Sequence, residues 1–241
     1  MSQPRTLLVA ALALVGMNHL AQAHQIWIEQ PAGLSAVLRF GEFGENLRET
    51  SPGLLDKFGK PTAILVSASG IRTAEATRSA DGYALPFRAA DGDSIVAEDA
   101  AYPLYTYQNL RSRYYPAARL ITGFAPQAPR LTLDLVPTGA PGAFRLVFKG
   151  QPLPKAKVNL VTQSGWALEA HTDDAGQVTF DMPWQGVYVA EVNHTDRTPG
   201  ERQGANGSEA FQTVSYVTSL TYVKPDGAAA IPAGPAATPN K

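Results

Sequence analysis

The sequence predicts an all-β protein built from two β-sandwich-like domains. Short apolar runs, many of them alternating with polar residues, recur along the chain, and Gly, Pro or Asp-Gly turns separate them. Hydrophobic residues make up 44% of the 241 residues and charged residues 17%, a composition that supports a packed core. Strands this short and this regularly spaced favour a sandwich or barrel over βαβ units.

The first 23 residues have the pattern of an export signal. Arg5 precedes the apolar run 7–15, and Ala21-Gln22-Ala23 forms an A-x-A cleavage site. The run is about half as long as the roughly 20 apolar residues of a membrane-spanning helix. We therefore expect cleavage between Ala23 and His24, a periplasmic or secreted mature protein, and no membrane span in that mature protein.

Charge and cysteine content exclude several classes of function. The 20 Lys and Arg residues are balanced by 21 Asp and Glu residues, which argues against a nucleic-acid-binding surface or a polybasic membrane anchor. The chain has no cysteine, and therefore no disulfide and no thiolate ligand. Any metal would be held by nitrogen and oxygen donors.

The first domain is expected over residues 24–128. Its predicted strands lie at 25–30, 35–40, 62–67, 83–87 and 94–98. Residues 52–58 predict a single helical turn at most, because Gly and Pro flank them.

Residues 101–123 depart from the strand pattern. They hold five of the nine tyrosines, Tyr102, Tyr105, Tyr107, Tyr114 and Tyr115, with Arg111, Arg113 and Arg119 between or after them. We interpret the segment as a partly helical crossover that packs its aromatic rings on the sheet. The alternative is a binding surface for an anionic or aromatic ligand, or for an oligosaccharide.

The second domain is expected over residues 129–224, after a Pro- and Gly-rich junction near 125–140. Its predicted strands lie at 130–136, 144–148, 157–162, 166–171, 178–182, 187–194 and 211–223. About seven short strands indicate an Ig-like or transthyretin-like sandwich. The Ala-, Pro- and Gly-rich tail, residues 225–241, is expected to be disordered.

Four motifs follow one another along the predicted mature chain. It begins His24-x-x-Trp27-Ile28, and a Gly-x-Pro-x-x-x-Ala-x-Val run extends from Gly150 to Val158. Thr172-Asp173-x-x-Gly176 opens a hairpin, and Ser219-Leu220-Thr221-Tyr222 lies in the last strand. Together these motifs resemble the DUF4198 family. The resemblance implies a periplasmic protein grouped with components of cobalt and nickel uptake systems, without a defined reaction.

His24 is the main candidate metal ligand. As a terminal residue it would offer its α-amine and its imidazole Nδ1, which together close a chelate ring, and an α-amine loses its proton readily when a metal binds near neutral pH. One more imidazole would complete a three-nitrogen site that suits Cu²⁺ first and Ni²⁺ next. The hypothesis is therefore a bound divalent transition metal ion, Ni, Co or Cu.

His194 is predicted as the second metal ligand and His171 as its less favoured alternative. His194 ends the strand 187–194, and sites on sandwiches gather at strand ends near loops. His171 shares a face with Glu169, so we expect it to face solvent. For each of these two histidines, a surface position without a function is the competing interpretation.

Three carboxylates lie near the candidate histidines in the sequence. Glu42 and Glu45 follow the first strands, and Asp196 follows His194 by two residues. We favour a role for all three as solvated loop charges over a role as metal ligands.

Three functions remain open. The favoured one is a metal-binding protein that passes nickel, cobalt or copper to a transporter of the inner or outer membrane. The others are a copper oxidase or monooxygenase of the terminal-histidine type and a non-catalytic Ig-like interaction module. No Ser-His-Asp order, H-E-x-x-H zinc motif or phosphate loop points to a hydrolase, so no catalytic residue is predicted.

Overall fold

A computed structural model describes residues 24–204 and 207–240. The predicted export signal, residues 1–23, lies outside the described residues. The described chain is nearly all β, which confirms the predicted fold class. Within it, no helix is long and apolar enough to cross a membrane.

The strands of the first half are short except for the last. They are β1 Gln25–Glu29, β2 Val37–Glu42, β3 Leu47–Arg48, β4 Thr62–Ser67, β5 Gly70–Glu75, β6 Thr77–Arg78, β7 Tyr83–Ala84, β8 Ser94–Glu98, β9 Tyr105–Tyr107 and β10 Leu110–Ile121. A 3-10 helix, Leu54–Lys57, forms where the sequence predicts a single helical turn.

The second half contributes ten further strands among the described residues. They are β11 Leu133–Pro137, β12 Ala143–Phe148, β13 Gln151–Pro152, β14 Lys157–Thr162, β15 Ala167–His171, β16 Gln177–Thr179, β17 Gly186–Asp196, β18 Gly200–Gly204, β19 Gly207–Phe211 and β20 Thr213–Lys224.

One nine-stranded sheet runs through both halves of the chain. Its order is β15-β14-β17-β20-β10-β8-β4-β5, with β9 paired to β10. The two halves join where β10 pairs with β20 in parallel, from Ser112 opposite Thr213 to Ile121 opposite Tyr222. A division of the chain near residue 128 therefore does not divide this sheet, although the segment between β10 and β11 overlaps the expected junction.

Two hydrophobic cores lie on opposite faces of this shared sheet. On one face packs the sheet β1-β2-β7-β6, with β3 on β2; on the other packs the sheet β11-β12-β13, with β16 on β12. The first core includes Ile26, Leu38, Phe40, Leu65, Ile95 and Leu120, and the second includes Leu135, Phe144, Leu146, Leu160, Tyr188 and Leu220. Adjacent residues of a strand point to opposite faces, so β10 and β20 supply side chains to both cores.

The first strand lies at the junction of the two halves. The Ser219 hydroxyl of β20 donates a hydrogen bond to the Ile26 carbonyl at 2.7 Å. On the same strand, Trp27 has no exposed surface and packs with Phe43, Val161 and Val189. β1 thus lies beside the β10–β20 pair that joins the two halves.

One expectation about an irregular segment is wrong. Residues 105–107 and 110–121 form strands rather than a partly helical crossover. Alternation along these strands sends the tyrosines and arginines to both faces of the sheet.

The tail is also not free of the rest of the protein. Trp184 forms a β-bridge with Ala228, Asn46 donates to the Gly234 carbonyl, and Ala237 donates to the Asn46 carbonyl. Residues 225–240 thus form an extended strap across the surface. The Ala-, Pro- and Gly-rich composition of this segment does not predict these contacts, because backbone groups of the strap make them.

Candidate metal centre

His24 immediately precedes β1 and is fixed by contacts to both its backbone and its ring. The Tyr114 hydroxyl donates to the His24 carbonyl at 2.6 Å, and the Phe40 ring centroid lies 5.2 Å from that of the imidazole. The side chain of His24 remains 24% exposed. This histidine is therefore held on the sheet with part of its ring accessible.

A carboxylate lies beside each nitrogen of the His24 ring. Nε2 is 2.6 Å from Oε1 of Glu49, and Nδ1 is 3.3 Å from Oε1 of Glu42. The β2–β3 pairing brings both carboxylates there, since Gly41 pairs with Arg48 and the Glu49 amide donates to the Phe40 carbonyl.

The two carboxylates differ in environment. The Glu49 side chain has no exposed surface, whereas that of Glu42 is 21% exposed. Burial raises the pKa of Glu42, an effect that the nearby His24 opposes and the charges of Glu45 and Glu49 reinforce. Glu42 thus lies where a positive charge would be favourable.

The end of the strap completes the surroundings of Glu49. The Asn240 backbone amide donates to Oε2 of Glu49 at 3.0 Å, and its side-chain amide donates to Oε1 at 2.6 Å. The same Nδ2 atom is 3.2 Å from Nε2 of His24. Glu49 therefore accepts hydrogen bonds on both oxygens and is held in place by groups far apart in sequence.

The proton count of the ring has a chemical consequence. A neutral imidazole carries one N–H and can donate to one of the two carboxylates only. If that proton is on Nε2 and donated to buried Glu49, the lone pair of Nδ1 faces the carboxylate of Glu42. Two such acceptors need a cation between them, either a second proton or a metal ion.

An aromatic cavity opens beside His24. Its volume is about 550 Å³, and the lining includes Phe40, Tyr102, Tyr105, Tyr114, Lys57 and Ser215. Three tyrosines of the Tyr/Arg segment therefore share one cavity with the candidate histidine, whereas Arg111, Arg113 and Arg119 do not line it. Ser215, which also lines the cavity, belongs to β20 and so joins the cavity wall to that strand.

The structure does not bring His194 to His24. His194 pairs with Tyr216 across the β17–β20 ladder, and its ring lies 4.6 Å from that of Phe148 in the second core. The neighbouring Ser215 lines the cavity beside His24, and adjacent strand residues point to opposite faces. The two histidines thus occupy opposite faces of the shared sheet, so the structure does not bring the predicted ligand pair together.

The charges around His194 belong to a structural ion pair. Burial lowers the pKa of His194, Asp196 acts against this shift, and Lys149 adds to it. Asp196 pairs with Lys149 at 2.8 Å, and this hydrogen bond lowers the pKa of Asp196 to about 2. Asp196 therefore forms an ion pair with Lys149, and half-buried His194 packs against the ring of Phe148.

His171 also lies away from His24. It is exposed on β15, opposite Lys157, and β14 and β17 separate that edge strand from β20. Among the described residues, no group of three or more His, Asp or Glu side chains is placed to hold a metal ion. A metal at His24 would thus need a donor of another kind, such as the α-amine created by cleavage.

The sequence reasoning missed Glu49 and undervalued Glu42. Leu47 and Glu49 alternate as buried residues of one hairpin arm, so a carboxylate on the apolar face was a usable signal. Glu45 is exposed, as expected for a loop charge. Asn240 gave no such signal, because its position depends on the path of the strap.

Comparison with known proteins identifies one family. Residues 127–196, from the segment before β11 to the end of β17, match the family model described as a domain of unknown function, DUF4198. The match confirms over this stretch the family predicted from the motifs. Comparisons with curated proteins and with solved structures found no match.

Proposed function

We propose that this protein binds a divalent transition metal ion at its mature N-terminus and functions in metal uptake or delivery. The ligands would be the α-amine and Nδ1 of His24 and the carboxylate of Glu42. The observation that carries the proposal is the carboxylate beside each nitrogen of His24, at 2.6 and 3.3 Å.

The two carboxylates would have different roles. Buried Glu49 accepts a hydrogen bond from Nε2–H and so leaves Nδ1 as the metal-binding nitrogen. This is the arrangement in which a metal-bound histidine donates its other N–H to a carboxylate. Nδ1 is also the nitrogen that forms a chelate ring with the α-amine. Glu42, 3.3 Å from Nδ1, is close enough to bind the same ion, because such ions hold N and O ligands at about 2.0–2.2 Å.

The donor set favours Cu²⁺ and Ni²⁺ over Co²⁺. Two nitrogens and one carboxylate oxygen follow the ordinary affinity order, in which Cu²⁺ exceeds Ni²⁺ and Ni²⁺ exceeds Co²⁺. This set replaces the predicted pair of His24 and His194. The partial exposure of His24 and Glu42 suits an ion that is taken up and released, and the predicted export signal supports delivery to a membrane transporter from the periplasm.

The test compares two forms of the mature chain that differ by one residue. One form begins at His24, and the other carries a single extra alanine before it, which removes the chelate ring between amine and Nδ1. Competition titrations with Cu²⁺, Ni²⁺ and Co²⁺ should show that the added alanine lowers metal affinity by at least about 10–100-fold. Loss of a group that only hydrogen-bonds a metal ligand already has an effect of this size. Equal affinities of the two forms would overturn the proposal.

Histidine and carboxylate variants locate the ion. Glu42→Gln should weaken binding in the His24-initiated chain, while His194→Ala and His171→Ala should leave it unchanged. A loss of binding in His194→Ala without a loss of folding would instead restore the pair predicted from sequence.

A further inference from the structure

We infer that the cavity beside His24 is a binding site for a small aromatic carboxylate. It goes beyond the proposed metal site and does not depend on it, because the cavity walls are complete without the α-amine. Its volume, about 550 Å³, falls within the range of small-molecule sites, about 300–1,000 Å³.

The walls select a flat, apolar ligand body. Four aromatic side chains, Phe40, Tyr102, Tyr105 and Tyr114, line the cavity. Tyr102 is braced by edge-to-face contacts with Phe58 at 5.0 Å and with Tyr114 at 4.9 Å. Rings held by such contacts form a rigid surface, on which another aromatic ring gains more than from area burial alone.

The charged groups at the cavity select an anion. Apart from tyrosines, the titratable side chains of the lining are His24 and Lys57, both basic. Asp56, next to Lys57, is paired with Arg78 at 2.8 Å rather than with that lysine. The Lys57 ammonium group is therefore available at the rim for a ligand carboxylate.

The nearby carboxylates do not compete for this role. Glu49 and Asp99 are buried, Glu42 faces Nδ1 of His24, and none of the three lines the cavity. Glu49 is bound by His24 and Asn240, and Asp99 accepts from the amides of Ala101 and Gly59. An organic cation would meet the aromatic rings but also the Lys57 ammonium group, which disfavours it.

The ligand chemistry can be tested with four related probes on metal-free mature protein. Isothermal titration and NMR should show binding of 2-naphthylacetate at the tyrosine rings, and weaker binding of the uncharged 2-naphthylacetamide and of the non-aromatic cyclohexylacetate. The cationic 2-(2-naphthyl)ethylamine should bind least. Absence of 2-naphthylacetate binding at millimolar concentration, or tighter binding of the amine, would overturn the inference.

Variants tie the effect to the cavity. Lys57→Gln should weaken 2-naphthylacetate about two- to fivefold, as expected for an exposed charge pair. Tyr102→Leu should weaken it about three- to tenfold through loss of the aromatic contact. Lys60→Gln is the matched control, because Lys60 is 78% exposed and pairs with Glu75 outside the cavity lining.

Both variants are checked for folding by their thermal unfolding. Unchanged affinity in a folded Lys57→Gln variant would refute the anionic preference. The metal titrations test the α-amine of His24 and use a different readout. The failure of one proposal therefore does not decide the other.

Discussion

The guanidinium group of Arg119 donates two hydrogen bonds to the carboxylate of Asp134, at 2.9 and 2.6 Å, and neither side chain is more than 1% exposed. Arg119 belongs to β10 and Asp134 to β11, so the pair connects the shared sheet to the sheet that covers its second face. Asp134 also accepts from the backbone amides of Arg130 and Leu131.

Removal of one partner of this pair should strongly destabilise the protein. Asp134→Ala leaves the Arg119 charge buried without a carboxylate, and we expect the free energy of unfolding in urea to fall by about 3–5 kcal/mol. Asp56→Ala is the control, because its pair with Arg78 has the same type of contact at 2.8 Å but is largely exposed. That loss should be much smaller, because exposed ion pairs contribute little to stability; similar losses in both variants would refute the assignment.

The role assigned to Glu49 predicts a loss of metal affinity without a change of metal ligand. Glu49→Gln removes the carboxylate that accepts the hydrogen bond from Nε2–H, and affinity for Cu²⁺ should fall by about 10–100-fold. Asn240→Ala, which removes one donor to Glu49, should have a smaller effect. Glu75→Gln, at a carboxylate 67% exposed, is the control for a lost negative charge. Unaltered affinity in folded Glu49→Gln would contradict the role.

Glu191 should make stability depend on pH between about 4.5 and 7. Burial raises the pKa of this carboxyl from 4.5 to about 7, and the side-chain hydrogen bond from Gln25 only partly offsets it. The folded state thus binds the proton more tightly than the unfolded chain, so its stabilising contribution is complete below pH 4.5 and is lost as the pH rises through 7.

Glu191→Gln should remove that dependence. The difference in unfolding free energy between variant and wild type should move in favour of the variant by up to about 3 kcal/mol between pH 4 and pH 8. Denaturant unfolding at several pH values measures it. A constant difference across this range would show that folding does not raise the pKa of Glu191.

Gly41 should tolerate no side chain, because it separates Phe40 from Glu42 at the closest point of the β2–β3 pair. A Cβ atom there would lie 2.2 Å from the Leu47 carbonyl oxygen, and its φ angle is +144°. Gly70 has a similar φ of +121° but no atom within 4 Å of the added Cβ. Both Gly→Ala changes incur backbone strain, and Gly41→Ala should cost about 1–3 kcal/mol more from crowding.

This comparison isolates the close approach from the backbone conformation. Equal unfolding free energies of the two variants would show that the hairpin shifts at no cost. In a folded Gly41→Ala protein, metal affinity should also fall, because the displaced hairpin carries both Glu42 and Glu49.

The sequence was most informative where a local pattern decides local structure. Short apolar runs predicted β1 within one residue of its observed bounds, and β4 and β14 at their observed bounds, because strand formation follows the local pattern of apolar residues. It was misleading for residues 105–121, where closely spaced tyrosines and arginines suggested a helical crossover. Most of those residues belong to β10, which is covered on both sides and points side chains to both faces, so its sequence has no single apolar face.

By itself the sequence determined the all-β class and the family match of residues 127–196, and it proposed His24 as a chelator, because each depends on nearest neighbours or on a short motif. Only the tertiary structure decided the partners of that histidine. Pairing of β10 with β20 merged the two expected domains into one sheet and placed His194 on the face away from His24. The register of the β2–β3 hairpin brought Glu42 and Glu49 to it instead. The path of the strap brought Asn240, whose contact with Glu49 joins residues 191 positions apart.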